Sequence, residues 1–106
     1  MKNIALLLDL DNIKPNLNEL EEICQRYGNI VARRAFSNTS TVLTAYGSRF
    51  RELNYRFEIT PALDIVSQEV DNLIFKTTEE LLQNPSLNIQ LIAIVSNDND
   101  YAKLFT

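Results

Sequence analysis

Two pairs of aspartates follow apolar runs near the two ends of the sequence. Asp9 and Asp11 come directly after the run Ile4–Leu8, and Asp98 and Asp100 come shortly after a second such run. Carboxylates held close together either raise one another's pKa or bind a cation. An oxygen-only ligand set suits Mg²⁺ or Mn²⁺, which activates water and stabilises the leaving oxygen in phosphodiester hydrolysis. The two pairs therefore indicate a hydrolytic metal site, provided that the fold brings them together.

Composition narrows the chemistry further. The sequence has no histidine and a single cysteine, Cys24, which excludes histidine general bases, Ser-His-Asp triads and histidine-ligated zinc. A lone cysteine cannot form an intrachain disulfide, which fits a reducing, cytoplasmic location. No apolar run is long enough to span a membrane and no signal peptide is visible, so no membrane partner is expected.

The arginines are concentrated in the middle of the sequence. Residues 26–56 carry six arginines and one glutamate, whereas both flanking segments are net negative. This distribution is compatible with a polyanion lying across that part of the surface, and equally with solvated arginines that pair with nearby acids. The residues predicted to contact nucleic acid are Arg33, Arg34, Arg49 and Arg51.

The hydrophobic pattern alternates between strands and helices. A strand is followed by a helix three times, and a fourth strand is followed by the start of another helix, which predicts an α/β layer fold with a mostly parallel sheet. The predicted strands are Lys2–Leu10, Asn29–Phe36, Asn54–Thr60 and Ile89–Val95. The predicted helices follow Asn16, begin at Val42, and cover Val70–Gln83 after a loop at Pro61–Glu69.

Local signals place several residues within these elements. Asn16 is predicted to cap the first helix with Glu19 three residues later, and Gly28 to terminate it. Gly47 lies inside the second helix at a cost of ~1 kcal/mol. The residues predicted to face the core from the first helix are Leu17, Leu20, Ile23, Cys24 and Tyr27. Those from the second helix are Val42, Leu43, Tyr46, Phe50 and Leu53.

The predicted sheet explains how distant acids meet. The carboxyl ends of parallel strands share one edge, and ligands bind where the strand order reverses. If the first three strands run outward and the fourth returns beside the first, both aspartate pairs line the crevice between the first and fourth strands. Asp71, in the predicted first turn of the third helix, belongs to the same edge. Asn12 and Ser96 can supply neutral oxygens or position water.

Each polar residue also has a purely structural interpretation. Asp11 and Asn12 suit a turn, Asn97 or Asp98 suits a helix cap, and Asp71 suits a helix N-terminus. Asp9 differs, because a strand-terminal acid behind five apolar residues has no local capping role.

Three stretches resemble a known family. "IALLLDLDNI", "QEVDNLIFKTTEELL" and "IAIVSNDNDYAKL" resemble a NYN domain of the LabA-like branch of the PIN-like nuclease superfamily, over essentially the whole sequence. The resemblance implies a three-layer, Rossmann-like PIN fold in one domain, residues 1–106. It implies strand order 3-2-1-4-5, of which this sequence reaches order 3-2-1-4 and lacks the fifth, C-terminal strand, as a truncated domain would.

The resemblance also implies an activity and its residues. It implies a ribonuclease that uses Mg²⁺ or Mn²⁺, with RNA as the substrate. The catalytic and metal-binding positions that it implies are Asp9, Asp71, Asp98 and Asp100. The supporting positions are Asp11, Asn12, Ser96 and Asn97. The sequence departs from the family pattern at Gln68, where lysine is frequent, at Thr77, where a second acid is frequent, and at Asn97, where glycine is frequent.

Two other functions fit parts of the pattern. A PIN-like module with a weakened site would bind RNA or a protein without cleaving. A haloacid-dehalogenase-type phosphatase would use Asp9 as nucleophile and Asp11 as acid/base, as "LLLDLDN" suggests, although no convincing partner motifs follow. The apolar fourth strand is an expected sheet edge, so a homo-oligomer formed through that edge is a further prediction.

Overall fold

The chain folds into alternating strands and helices. A computed structural model describes residues 1–11, 14–59 and 67–96, with the backbone alone described for residues 67–71. The strands are β1 (Lys2–Asp9), β2 (Gly28–Ser37), β3 (Arg56–Ile59) and β4 (Leu91–Val95). The helices are α1 (Leu17–Gln25), α2 (Val42–Glu52) and α3 (Ser67–Leu82).

The four strands form one sheet in the order β3-β2-β1-β4, and every pairing is parallel. β1 is central, with Leu8 paired to Ala35 of β2 on one side and to Val95 of β4 on the other. The predicted α/β class, the parallel sheet and the order 3-2-1-4 are confirmed. The order reverses between β1 and β4, because β2 and β3 extend on the opposite side of β1.

Helices cover both faces of β1. Ile4, Leu6 and Leu8 pack in one core with Leu17 of α1 and Phe50 of α2. The alternate residues Ala5 and Leu7 pack in a second core with Ile74 and Leu81 of α3. All five residues from Ile4 to Leu8 are fully buried. The continuous apolar run is therefore explained by a strand that buries both of its faces, as parallel sheets require.

An aromatic cluster fixes α2 over the β2–β3 side of the sheet. The ring of Phe50 lies 5.7 Å from Tyr46, 5.1 Å from Tyr55 and 5.8 Å from Phe57, measured between centroids. Offset and tilted aromatic pairs at such distances stabilise beyond their buried area. The cluster therefore holds the whole of α2, including its N-terminal turn, in a defined place.

The start of α1 follows its sequence signal, but its end does not. The Asn16 side-chain oxygen accepts a hydrogen bond from the Glu19 amide at 3.1 Å, so the predicted cap is confirmed. Gly28 does not terminate the helix: α1 ends at Gln25, and Gly28 is the first residue of β2. Tyr27 and Ile23 were expected in the core, but they are 65% and 40% exposed. Tyr27 lies beyond the end of α1, and both residues line an open groove beside β4.

One predicted core residue and two element boundaries also differ from the prediction. Leu43 of α2 is 42% exposed rather than inward-facing, because it lies in the first turn, away from the Phe50 cluster. α3 begins at Ser67, inside the predicted Pro61–Glu69 loop, so Asp71 lies in the second turn of the helix. β4 begins at Leu91, two residues later than predicted. No helix among the described residues is both long and apolar enough to cross a membrane.

Candidate functional site

Asp9 is the last residue of β1, at the carboxyl edge of the sheet. It is 9% exposed, and both of its carboxylate oxygens accept hydrogen bonds. Oδ2 accepts from the Ser96 hydroxyl at 3.0 Å, and Oδ1 accepts from the Asp11 amide at 3.3 Å. Ser96 follows the last residue of β4. The carboxyl ends of β1 and β4 therefore meet, as predicted, and Asp9 stands where they do.

Asp11 connects the end of β1 to the loop after β2. Its Oδ1 accepts hydrogen bonds from the Ser37 hydroxyl at 3.1 Å and from the Asn38 amide at 2.8 Å. Ser37 is fully buried, and its oxygen in turn accepts from the Thr39 amide at 3.2 Å. The chain of bonds Asp9–Asp11–Ser37–Thr39 thus makes one rigid rim along this edge.

Ser37 is a site residue that the sequence pattern did not single out. It belongs to the polar stretch "SNTST", residues 37–41, whose residue types are those that favour helix caps. The available signal was its position: it ends β2, so it lies at the same edge as Asp9 and Asp11. A hydroxyl at a strand terminus beside two acids is a natural donor to them.

The remaining predicted acids are placed only in part. Asp71 lies on the backbone of α3, the helix that packs against β1 and β2. Asn12, Asn97, Asp98 and Asp100 lie outside the described residues. Within the described part of the chain, no three acidic, cysteine or histidine side chains gather as a metal-binding group. The meeting of the two aspartate pairs therefore stays a prediction.

Arg33 is engaged in the protein interior. Its side chain is 20% exposed and that of Glu21 is 9% exposed, and the two form an ion pair with a closest contact of 2.6 Å. The guanidinium nitrogen Nε also donates to Glu21 at 2.9 Å. This two-pronged contact joins β2 to α1. For Arg33 the structure therefore shows the second of the two interpretations, an arginine that pairs with a nearby acid.

The other predicted nucleic-acid-binding arginines are dispersed. Arg34 is half-buried, and its guanidinium donates to the Arg33 carbonyl at 3.2 Å. Arg49 pairs with Glu52 at 2.5 Å and also contacts Asn18. Arg49 and Arg51 lie in the last turn of α2, which begins at the Asp9 edge and runs away from it. A role for these side chains in binding nucleic acid stays a prediction.

The departure at Thr77 has a clear structural counterpart. Thr77 is 7% exposed and Thr78 is 5% exposed, both on α3. The Thr78 hydroxyl donates to the Ile74 carbonyl at 2.8 Å, a common way to satisfy a buried hydroxyl within a helix. This stretch of α3 is therefore packed as core.

Comparison of the chain with protein-family models, with curated proteins and with solved structures gives no match. The fold is therefore shown by the structure itself, and function has to be argued from the residues at the sheet edge.

Proposed function

We propose that this protein is a metal-dependent ribonuclease whose site lies at the carboxyl edge between β1 and β4. The observation that carries the proposal is the hydrogen bond from Ser96 to Asp9. It places a nine-tenths buried carboxylate at the point where the strand order reverses. That point is where open α/β sheets bind their ligands.

The environment of Asp9 is that of an oriented ligand. One neutral donor holds each carboxylate oxygen, the Ser96 hydroxyl on Oδ2 and the Asp11 amide on Oδ1. Hydrogen bonds of this kind fix the orientation of a metal-binding carboxylate and tune its affinity. Burying a carboxylate costs free energy of folding, so its presence at the crevice supports a functional role.

The ligand set under this proposal is made of oxygens. Asp9 would bind Mg²⁺ or Mn²⁺ together with Asp71, Asp98 and Asp100, and Ser96 would orient Asp9. When bound, the metal supplies Lewis-acid stabilisation of the phosphodiester and activates a water as nucleophile. RNA as the substrate is supported by the resemblance of the three quoted stretches to NYN domains.

The test is RNA cleavage by matched variants. A labelled single-stranded RNA of mixed sequence is incubated with wild type, Asp9→Asn, Asp98→Asn and the exposed α3 control Glu79→Gln, with Mn²⁺ or with EDTA. We expect cleavage that requires Mn²⁺ and falls by more than about 100-fold in both aspartate variants, because each loses a metal ligand. Glu79→Gln should cleave as wild type does. Absence of cleavage by wild type, or equal cleavage by Asp9→Asn, would refute the proposal.

A binding module without catalysis is the second candidate, and the structure of Asp11 favours it. Asp11 is occupied in holding the β2–α2 loop through Ser37 and Asn38, which is a structural role rather than one in catalysis. Such a module would bind the same RNA, show no Mn²⁺-dependent rise in melting temperature and leave the RNA intact. The same hydrogen bonds engage Oδ1 of Asp11 in holding the loop, which weighs against the phosphatase alternative.

A further inference from the structure

A groove of about 680 Å³ lies beside the Asp9 edge. We call it the α2 groove: it runs between Leu10, Asp11 and Lys14 on one side and the first two turns of α2 on the other. The apolar side chains that line it, which we call its floor, are Leu10, Val42, Ala45 and Tyr46. Its volume falls in the range of small-molecule sites, roughly 300–1,000 Å³.

The rim of the α2 groove carries hydrogen-bonding groups. Thr39, Thr41, Thr44 and Lys14 line it, and all four are exposed. The Thr39 and Thr41 hydroxyls are hydrogen-bonded to each other at 2.8 Å, so their positions are defined. A threonine hydroxyl both donates and accepts, whereas the lysine only donates. The groove therefore offers an apolar platform bordered by both kinds of hydrogen-bonding partner.

Asp11 belongs both to the lining of the α2 groove and to the candidate site. It lines the groove and its amide also donates to Asp9. A ligand held in the groove is thus adjacent to the carboxylate that would bind the metal.

The groove is not built for a phosphate. The Leu43 and Thr44 amides at the start of α2 already donate to the Ser40 and Thr41 carbonyls, both at 3.0 Å. These amides are therefore not available as an anion cradle, and the Asp11 carboxylate in the wall repels an anion. An apolar floor with a half-buried tyrosine ring suits a flat, neutral heterocycle instead.

We propose that the α2 groove binds one nucleobase of single-stranded RNA, next to the phosphodiester at the Asp9 edge. This inference rests on the proposed function for its substrate class. A base enters such a groove only when it is unstacked from its neighbours, because the bases of a duplex are enclosed in its stack. The groove therefore makes the site select unpaired nucleotides.

The test is nuclear magnetic resonance on the intact chain in EDTA, without metal. Adenosine 5′-monophosphate, uridine 5′-monophosphate and ribose 5-phosphate are titrated separately, and the amide signals of Thr39, Thr41 and Thr44 are followed. We expect at least one nucleotide to shift these signals saturably and ribose 5-phosphate to leave them unchanged. Equal shifts with ribose 5-phosphate, or no shift with either nucleotide, would overturn the inference.

Filling the groove provides the second arm. Ala45→Phe adds a ring over the floor, and Ser48→Phe adds the same ring at an exposed position of α2 outside the groove. We expect Ala45→Phe to weaken nucleotide binding at least tenfold and Ser48→Phe to leave it unchanged. Thr44→Phe replaces Ala45→Phe if the latter does not fold. Undiminished binding by a folded groove-filling variant would contradict the inference.

Failure of this inference is distinguishable from failure of the proposed function. Nucleotide binding in EDTA does not need the metal, so it is measured independently of cleavage. Manganese-dependent cleavage without nucleotide binding in the groove overturns the base site alone. Nucleotide binding in the groove by a protein that does not cleave overturns the nuclease proposal alone.

Discussion

The guanidinium of Arg33 and the carboxylate of Glu21 form a buried, two-pronged ion pair between β2 and α1, with a shortest distance of 2.6 Å. Burial, followed by the Glu21 carboxylate, raises the pKa of the nearby Cys24 thiol, and the Arg33 guanidinium opposes that shift. A charge pair removed from water depends on both partners, because loss of either leaves the other uncompensated.

Glu21→Ala is therefore expected to lower the free energy of unfolding by about 3–5 kcal/mol, because it leaves the Arg33 charge without its partner in a poorly hydrated place. Urea denaturation measures the change. The matched control is Glu22→Ala, at the next position of the same helix. Its carboxylate lies 3.6 Å from the Arg26 guanidinium, and both side chains are exposed. That change should cost no more than about 0.5 kcal/mol beyond the helix-propensity difference. Equal losses of unfolding free energy in the two variants would show that the Arg33–Glu21 pair contributes no more to stability than an exposed pair.

The two glycines of the chain should respond in opposite directions to alanine. A Cβ on Gly28 would lie 2.0 Å from the Lys2 carbonyl oxygen, so the first pairing of β1 with β2 would have to shift. We expect Gly28→Ala to destabilise by more than about 2 kcal/mol. A Cβ on Gly47 meets only Leu43 Cβ at 3.9 Å, so Gly47→Ala should stabilise α2 by about 0.5–1 kcal/mol. Thermal and urea unfolding of both variants give the sign directly.

Ser37→Ala tests the rim that joins the loop to the sheet edge. The change removes the donor to Asp11 and leaves the Thr39 amide without its acceptor. We expect a loss of about 1–3 kcal/mol, because a buried bond is deleted and a partner is orphaned. Hydrogen exchange at the Thr39 amide should accelerate. Ser40→Ala, at an exposed position of the same loop, should change neither quantity, and unaltered exchange in Ser37→Ala would exclude a rigid rim.

The burial of the Tyr55 hydroxyl leads us to expect a loss of folding stability at alkaline pH. Burial, followed by the Glu21 carboxylate, raises the pKa of the Tyr55 hydroxyl above its ordinary value of 10.0. Because folding favours the protonated form, this contribution is fully present below pH 10 and is lost as the pH rises towards the folded-state pKa. The free energy of unfolding should fall there by about 1.4 kcal/mol per pH unit for this group.

Tyr55→Phe removes that part of the pH dependence. It also removes a buried hydroxyl that has no hydrogen-bond partner among the described residues, so stability near pH 7 should be unchanged or higher. The control is Tyr27→Phe, whose ring is 65% exposed and whose pH profile should follow that of wild type. Denaturant unfolding between pH 8 and pH 11 compares the three proteins. Parallel curves for Tyr55→Phe and wild type above pH 10 would contradict the assignment.

The sequence pattern predicted the strands, the parallel sheet and the first helix cap, because these follow from residues close together in the chain or from the order of the elements. The apolar run Ile4–Leu8 indicated a strand buried on both faces, and the alternation of elements gave the parallel sheet with its reversal beside β1. The Asn16 cap was readable because its bond partner is three residues away. The position of Asp9 beside Ser96 followed from topology, although 87 residues separate the two.

Contacts between residues that are distant in the sequence could not be predicted from local patterns. Gly28 resembled a helix terminator, but its role comes from a close approach to Lys2. The arginine-rich segment was compatible with a polyanion and equally with arginines that pair with nearby acids, and at Arg33 the structure shows the second, an ion pair with Glu21 of α1. Ser37 became a site residue only when the end of β2 was placed beside Asp11. α3 begins at Ser67, earlier than its apolar periodicity predicts, because the bounds of a helix follow its backbone hydrogen bonds.

The position of β1 between β2 and β4 has a consequence for how the chain is made on the ribosome. The Ile4–Leu8 segment of β1 is synthesised long before its pairing partners at Leu91–Val95. At bacterial and eukaryotic elongation rates, one side of this apolar segment waits roughly 4–16 s for its neighbour. Nascent chains of this protein are therefore natural clients for chaperones that shield hydrophobic segments near the exit tunnel.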